Sequence, residues 1–225
     1  MSSSLSTRPL FGGAIDLDLP REYLDASDLR QIPDNQEVFL SSTSDTAIVL
    51  EVLGMVEEGQ AGVDLWEAAK FHFSSIAHDN ASLESTILTT PPSAPIPSGP
   101  ATASASASAT INGEQPVNPE ATTISGTQVI HKFSHNPTGA PREGHEDDTP
   151  DTVWIGVGLW RIWFEDQSTQ TKMKKKADLV LSVNVNLSAE GGTGTQEREK
   201  VESWFFDHCV KSLKIRDFGL FGDSQ

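Results

Sequence analysis

The chain has 225 residues and 36% apolar composition, enough for one ordinary domain core with room for an insertion. Its net charge of −16 is concentrated early, with 14 acids against 4 bases in residues 1–79, 7 against 2 in 80–150, and 11 against 10 in 151–225. That sign disfavours nucleic acid and anionic membrane as partners and favours a basic protein surface, although negative charge also serves solubility alone. The single cysteine, Cys209, excludes an internal disulfide and a cysteine zinc cluster and fits a reducing compartment. No run of about 18 apolar residues spans a bilayer, and Met1–Arg8 lacks the apolar core of a secretory signal, so a soluble cytosolic or nuclear protein is expected.

Leu10–Leu19 alternates Ile15, Leu17 and Leu19 against Ala14 and Asp16, which predicts a half-buried strand ending at Pro20, with Gly12-Gly13 as a bulge or a close backbone approach. Ser27 or Asp25 can cap a short helical turn holding Leu29 and Arg30, and Pro33 ends it. Asp34-Asn35 is a turn, and Gln36–Leu40 begins a strand with Val38 on one side and Glu37 and Phe39 on the other. Polar groups Asp25, Asp28, Arg30, Asp34, Asn35 and Glu37 thus sit on a loop held at both ends, a common place for binding residues; the bland alternative is that they cap and solvate a turn.

Thr46–Val56 reads as a hairpin partner strand, although Ile48, Val52 and Met55 would also share one face of a helix. Glu51 is its only charge. Residues 63–78 carry a helical apolar stripe of Leu65, Ala69, His72, Phe73 and Ile76, in which His72 is a hydrogen-bonded core histidine with no carboxylate or cysteine partner evident. Residues 82–90 predict a short strand. Residues 91–121 are a Pro/Ser/Ala-rich insertion expected to be disordered, which divides the sequence and leaves one domain, 1–225, intact.

Thr122–Ser134 predicts a strand, and His131 and His135 on it would lie too far apart to share a metal; no metal site and no cofactor are expected. Val153–Phe164 is apolar on both faces and predicts a central strand, with Gly156 and Gly158 on the tryptophan face leaving room for a close helix. Its Gly-x-Gly lacks the third glycine and the following helix of a nucleotide fingerprint. Lys172–Lys176 is a basic hairpin loop, and the next strand alternates Leu179, Leu181, Val183, Val185 and Leu187 with Ser182, Asn184 and Asn186. Residues 196–214 predict a second helix burying Val201, Trp204, Phe205, Phe206, His208, Cys209 and Leu213, and Phe218, Leu220 and Phe221 dock on the sheet. The sum is an α+β sandwich of six or seven mostly antiparallel strands flanked by helices. No catalytic constellation is present, so a non-enzymatic protein is expected; an enzyme would need at least a polar pocket around His72 or His131.

Several blocks in order resemble the Ran guanine-nucleotide release factors, the Mog family: Phe11-Gly12-Gly13-Ala14, Asp25-Ala-Ser-Asp-Leu-Arg30, Ile32-Pro-Asp-Asn-Gln-Glu-Val-Phe39, Trp66-Glu-Ala-Ala-Lys-Phe-His-Phe73, Ile155-Gly-Val-Gly-Leu159 and Asp217–Phe221. The resemblance implies the Mog/PsbP-like α/β/α sandwich, a monomer in nucleus and cytoplasm, and binding to the GTPase Ran with release of its nucleotide in support of nuclear import. It implies a Ran contact formed by Asp25, Asp28, Arg30, Asp34, Asn35 and Glu37 with Glu51, while Gly54 stands where a second acid is expected. A PsbP-like adaptor that binds a basic surface without nucleotide release is the alternative.

Overall fold

The computed structural model describes residues 4–98, 119–134, 136–166 and 173–221. It begins with a hairpin, β1 (Leu5–Leu10) and β2 (Ile15–Pro20), joined by the turn Phe11–Gly13. Gly12-Gly13 is therefore a reversal of the chain where a bulge or a close backbone approach within one strand was expected. All three turn residues have positive φ, at 50°, 64° and 95°, a region where glycine carries no Cβ penalty. The expected single strand is split into two, and β2 lies at the centre of a separate three-stranded sheet, with β10 (Lys214–Ile215) on its other side.

The larger sheet is seven-stranded and antiparallel, in the order β3-β4-β5-β9-β8-β7-β6. Its strands are β3 (Tyr23–Asp25), β4 (Gln36–Ser41), β5 (Ala47–Gly54), β6 (Glu84–Ile87), β7 (Thr122–Ile130), β8 (Asp151–Asp166) and β9 (Met173–Asn186). The ambiguous 46–56 segment is a strand. Strand pairing of β8 with β9 continues to Asp166↔Met173, so Lys174–Lys176 belong to β9 where a basic loop was expected; Lys172 lies outside the described residues. The Lys176 ammonium is 2.9 Å from the Glu57 carboxylate and stacks over Trp163.

One face of this sheet is covered by α1 (Leu65–Asp79), capped by Asp64, whose side chain accepts the Trp66 N–H at 2.9 Å. Its Leu65, Trp66, Ala68, Ala69 and Phe73 pack on Ile124, Val153, Ile155, Val157, Leu159 and Val180. The opposite face meets the small sheet and a C-terminal helix, α2 (Thr193–Trp204), which continues through a π turn, Phe205–Cys209, to Val210–Ser212. Trp154, Trp160, Leu179 and Leu181 pack there against Val201, Trp204, Phe205, Cys209 and Val210, with Ile15, Leu17 and Leu19 of β2. The two-sided apolar character of β8 has thus become two cores. The wider π turn adds a residue to the helical repeat. That shift explains why His208, expected inside, is exposed while Val210 is buried. Burial pushes the Cys209 thiol pKa up.

The insertion is anchored at both described ends. Pro97 bridges Asp64, Leu65 donates to the Ile96 carbonyl, Ser98 donates to the Val63 carbonyl, and Ala121 packs on the core. Residues 96–98 therefore belong with the fold, and 99–118 lie outside the described residues.

Gly156 and Gly158 do receive the helix: a Cβ on Gly158 would lie 3.0 Å from Val210 Cγ2, and one on Gly156 3.2 Å from Phe206 Cζ. Gly158→Val, which adds branched bulk into this contact, is expected to lower unfolding free energy by about 1–3 kcal/mol in urea titration.

Candidate functional site

The seven expected contact residues occupy β3, β4, β5 and the connection between β3 and β4, at one side of the large sheet. Asp25 is the cap: its carboxylate accepts the Ser27 N–H at 2.8 Å and opens the turn Ala26–Asp28. Asp28, Arg30, Asp34 and Asn35 are exposed along the connection. Gln36 N–H donates to the Pro33 carbonyl and closes the last turn. Asn35 pins that turn to β5, accepting the Val52 N–H at 2.9 Å and donating from Nδ2 to the Val52 carbonyl at 3.3 Å. The loop is consequently mounted on strands at both ends.

The strand register divides the remaining residues. Gln36 pairs with Glu51, and Glu37 pairs with Leu50. Side chains alternate along a strand, so Gln36, Glu51 and Leu53 face the α1 side while Glu37, Phe39 and Leu50 face the C-terminal helix. Core membership agrees, since Leu53 packs with α1 and Phe39 and Leu50 with the other core. Glu37 and Glu51 therefore do not meet.

Each carboxylate has its own surroundings. Glu37 accepts the backbone N–H of Phe11, which ties the positive-φ turn of the first hairpin to β4. Burial raises its pKa, the Phe11 hydrogen bond offsets part of the rise, and Asp25 adds to it. Glu51 is half-buried and accepts Gln36 Nε2 at 2.6 Å. Burial raises its pKa too, partly offset by Gln36, with Asp79 of α1 raising it and His72 lowering it. Gly54, two residues past Val52 on the same strand, is exposed, and a Cβ there would meet nothing within 4 Å.

Behind Glu51 lies a buried polar cluster that the sequence reading missed. His72 does have a carboxylate partner: its Nε2 is 2.9 Å from Asp178 Oδ2. Arg161 grips the same carboxylate with two donors, Nε to Oδ1 at 2.7 Å and Nη2 to Oδ2 at 2.9 Å, and Val56 N–H donates at 3.1 Å. Because a carboxylate only accepts, His72 Nε2 carries the proton. Arg161 also donates through Nη1 to the Ala61 carbonyl at 2.7 Å and to Ser98 Oγ at 2.9 Å. Burial would raise the Asp178 pKa, but the hydrogen bonds of Arg161 and His72, the guanidinium charge and the Val56 N–H outweigh it and hold it below the usual aspartate value. The available signal was Arg161 inside the apolar run Val153–Phe164 and Asp178 at the head of the apolar run that begins at Leu179.

An antiparallel sheet flanked by helices, with an acidic loop and strand at one side of it, defines an α+β sandwich protein. A family model described as Ran-interacting Mog1 protein matches residues 8–186, and the chain belongs to that family. A Danio rerio protein called Ran guanine nucleotide release factor is 29% identical over 216 residues, covering 96% of this chain and 100% of that protein. A Schizosaccharomyces pombe protein called nuclear import protein mog1 is 49% identical over 72 residues, 32% of this chain and 36% of that one. The crystal structure of the Saccharomyces cerevisiae Ran-binding protein Mog1p superposes with a TM-score of 0.59 at 23% identity, covering 98% of this chain and 100% of that one, and shares the α+β fold.

Asp178→Asn leaves the buried Arg161 guanidinium without its counter-charge, and should cost about 3–5 kcal/mol of unfolding free energy. The wild-type pair carries a pH signature. The lowered aspartate pKa contributes stability that is present above the unfolded-state value and is lost as pH falls through the folded value. Urea midpoints measured from neutral pH downward should show that acid loss, reduced in Asp178→Asn.

Proposed function

We propose that this protein binds the GTPase Ran and promotes release of its guanine nucleotide in support of nuclear protein import, acting as a non-enzymatic regulator in nucleus and cytoplasm. The observation that carries the reading is membership of the Ran-interacting Mog1 family combined with an acidic loop and strand rigidly mounted on the sheet. In this reading Glu51, with Gln36 beside it and Asp34 and Asn35 at the same end of β5, forms the face offered to Ran. Asp28 and Arg30 extend it along the loop. Asp25 and Glu37, engaged with Ser27 and Phe11, hold the surface in shape from the other side of the sheet.

The chemistry requires no covalent step. A GTPase holds nucleotide phosphates with a lysine and Mg²⁺, and carboxylates presented to those cations compete with the phosphates for them. A protein that binds the nucleotide-poor state more tightly shifts the population toward it. Nucleic acid and membrane have no place in this scheme, and the protein acts as a monomer.

The test is release of a fluorescent guanine nucleotide from Ran as the protein is added. Wild type should accelerate release, and Glu51→Lys should abolish the acceleration, with about 1 kcal/mol of stability lost through the Gln36 hydrogen bond it removes. Unchanged release with Glu51→Lys would overturn the assignment of this face. Gly54 favours the second reading, an adaptor that binds Ran without releasing nucleotide, because the second expected acid is missing. The open space at that position lets Gly54→Glu be introduced without a clash. It is expected to tighten Ran binding several-fold, about 1 kcal/mol, measured by titration calorimetry. Binding by wild type with release only in Gly54→Glu would establish the adaptor.

A further inference from the structure

Six gaps of about 4.8 Å make the seven-stranded sheet about 29 Å wide, and a helix about 10 Å across roofs only part of it. α1 sits toward one side. Its Phe73 lies against β7, where a Cβ on Gly126 would be 2.5 Å from Phe73 Cζ, and its His72 reaches β9 through Asp178. The register places Leu24 opposite Leu40, Val38 opposite Val49 and Gln36 opposite Glu51 on the same face of β3, β4 and β5. Leu24, Val38, Leu40 and Val49 belong to neither core. This face of the three strands is therefore a floor beside the helix, about 10 Å across. Its outer edge is β3, the end strand of the sheet, where Leu24 is 52% exposed.

The floor is walled on three sides. Phe73 on β7 and His72 on β9 fix the roll of α1, and each residue back along the helix turns about 100°, so Phe71 falls on the flank toward β5. Phe71 is 48% exposed, with its ring edge-on to His72. At one end, the loop after β5 is drawn down by the Val56 N–H on Asp178. At the other, Lys132, just beyond β7, pairs with Asp45 of the β4–β5 turn. That contact carries residues 131–134 across the sheet on the side of α1, where His78 and Asp79 share a cleft with them. Phe133, on this crossing, is 70% exposed. Glu51 is the one charge that β3, β4 and β5 place on the floor, because Asp25 and Glu37 face the other way.

We propose that this trough receives an amphipathic helix of Ran, which lays an apolar stripe on Leu24, Leu40 and Val49 between Phe71 and Phe133 and sets a lysine or arginine against Glu51. The inference rests on the reading of Glu51 as a contact residue and extends it from a charge to a surface. The width of the floor matches one helix, which completes the layer that α1 begins. An apolar floor with a single carboxylate selects an apolar stripe carrying a cation, a match that a second copy of this acidic chain supplies poorly. Leu24 and Phe71 are mounted on a strand and a helix, so little ordering opposes their use as anchors.

Titration calorimetry with Ran tests the surface. Leu24→Ala and Phe71→Ala should each weaken binding about tenfold. Leu88→Ala, at a residue 49% exposed just beyond β6 at the opposite edge of the sheet, should leave binding unchanged. Wild-type affinity in both trough variants, with binding lost in Glu51→Lys, overturns the trough and leaves the acidic contact standing. A loss of the same size in Leu88→Ala also overturns it. The occupant is read separately, with the photo-cross-linker benzoylphenylalanine placed at position 71 or 133 of the full chain. Both positions should capture residues along one face of a single Ran helix. Capture of a Ran loop or strand, or of a second copy of this chain, overturns the proposal. If wild type does not bind Ran at all, the proposed function and this inference fall together.

Discussion

The carboxylate of Asp178 is the point through which four parts of the molecule are joined. It receives β8 through Arg161, α1 through His72 and the loop after β5 through Val56, while belonging itself to β9. Arg161 extends the same linkage to Ala61 and to Ser98 at the edge of the insertion. A buried ion pair adds little net stability compared with an apolar replacement, since removing both charges from water costs about what their attraction returns. What it does supply is geometry. An apolar contact at this position would tolerate sliding of α1 along the sheet, whereas four directed bonds to two oxygens do not.

That constraint explains how an exposed acidic face can be held in a defined shape with few contacts of its own. α1 packs against β7 and β8, and β4 and β5 carry Gln36, Val38, Val49 and Glu51 on the same face of the sheet. The separation of Glu37 from Glu51 by the thickness of the sheet divides labour within one sequence block. One carboxylate of the pair anchors the first hairpin, and the other points toward solvent and α1. Residues adjacent in a motif therefore serve different structural ends, as the alternation of a strand requires.

Much of this was legible in the residues. The two-faced β8 announced a central strand, Gly156 and Gly158 announced the close helix, and the helix at 65–79 followed from its apolar stripe. The candidate loop stood out because its polar residues alternate with anchors. Three features were not read, for separate physical reasons. Gly12-Gly13 suits a bulge and a hairpin reversal equally, and only the pairing of Leu10 with Ile15 decides. The π turn has no residue signature, and a uniform 100° wheel cannot register the extra residue that turns His208 outward. The partner of His72 lies 106 residues away, so no local pattern holds it; Arg161 inside one apolar run and Asp178 at the head of another were the trace it left.

The three-stranded sheet joins residues about two hundred positions apart. Ile15 and Asp16 pair with Ile215 and Lys214, Arg216 closes an ion pair on Asp16, and Ser212 accepts the Asp18 N–H. Contacts of such long range form slowly, because the chain entropy of closing the loop must be overcome before they reward it. This clasp therefore carries one of the larger loop-closure costs in the fold. Its release uncovers Ile15, Leu17 and Leu19 and the core beneath them, whereas the α1 side, bound through Asp178, is separately secured. The two ends of the described chain thus close on the face away from Glu51, the side on which Glu37 ties the first hairpin to β4.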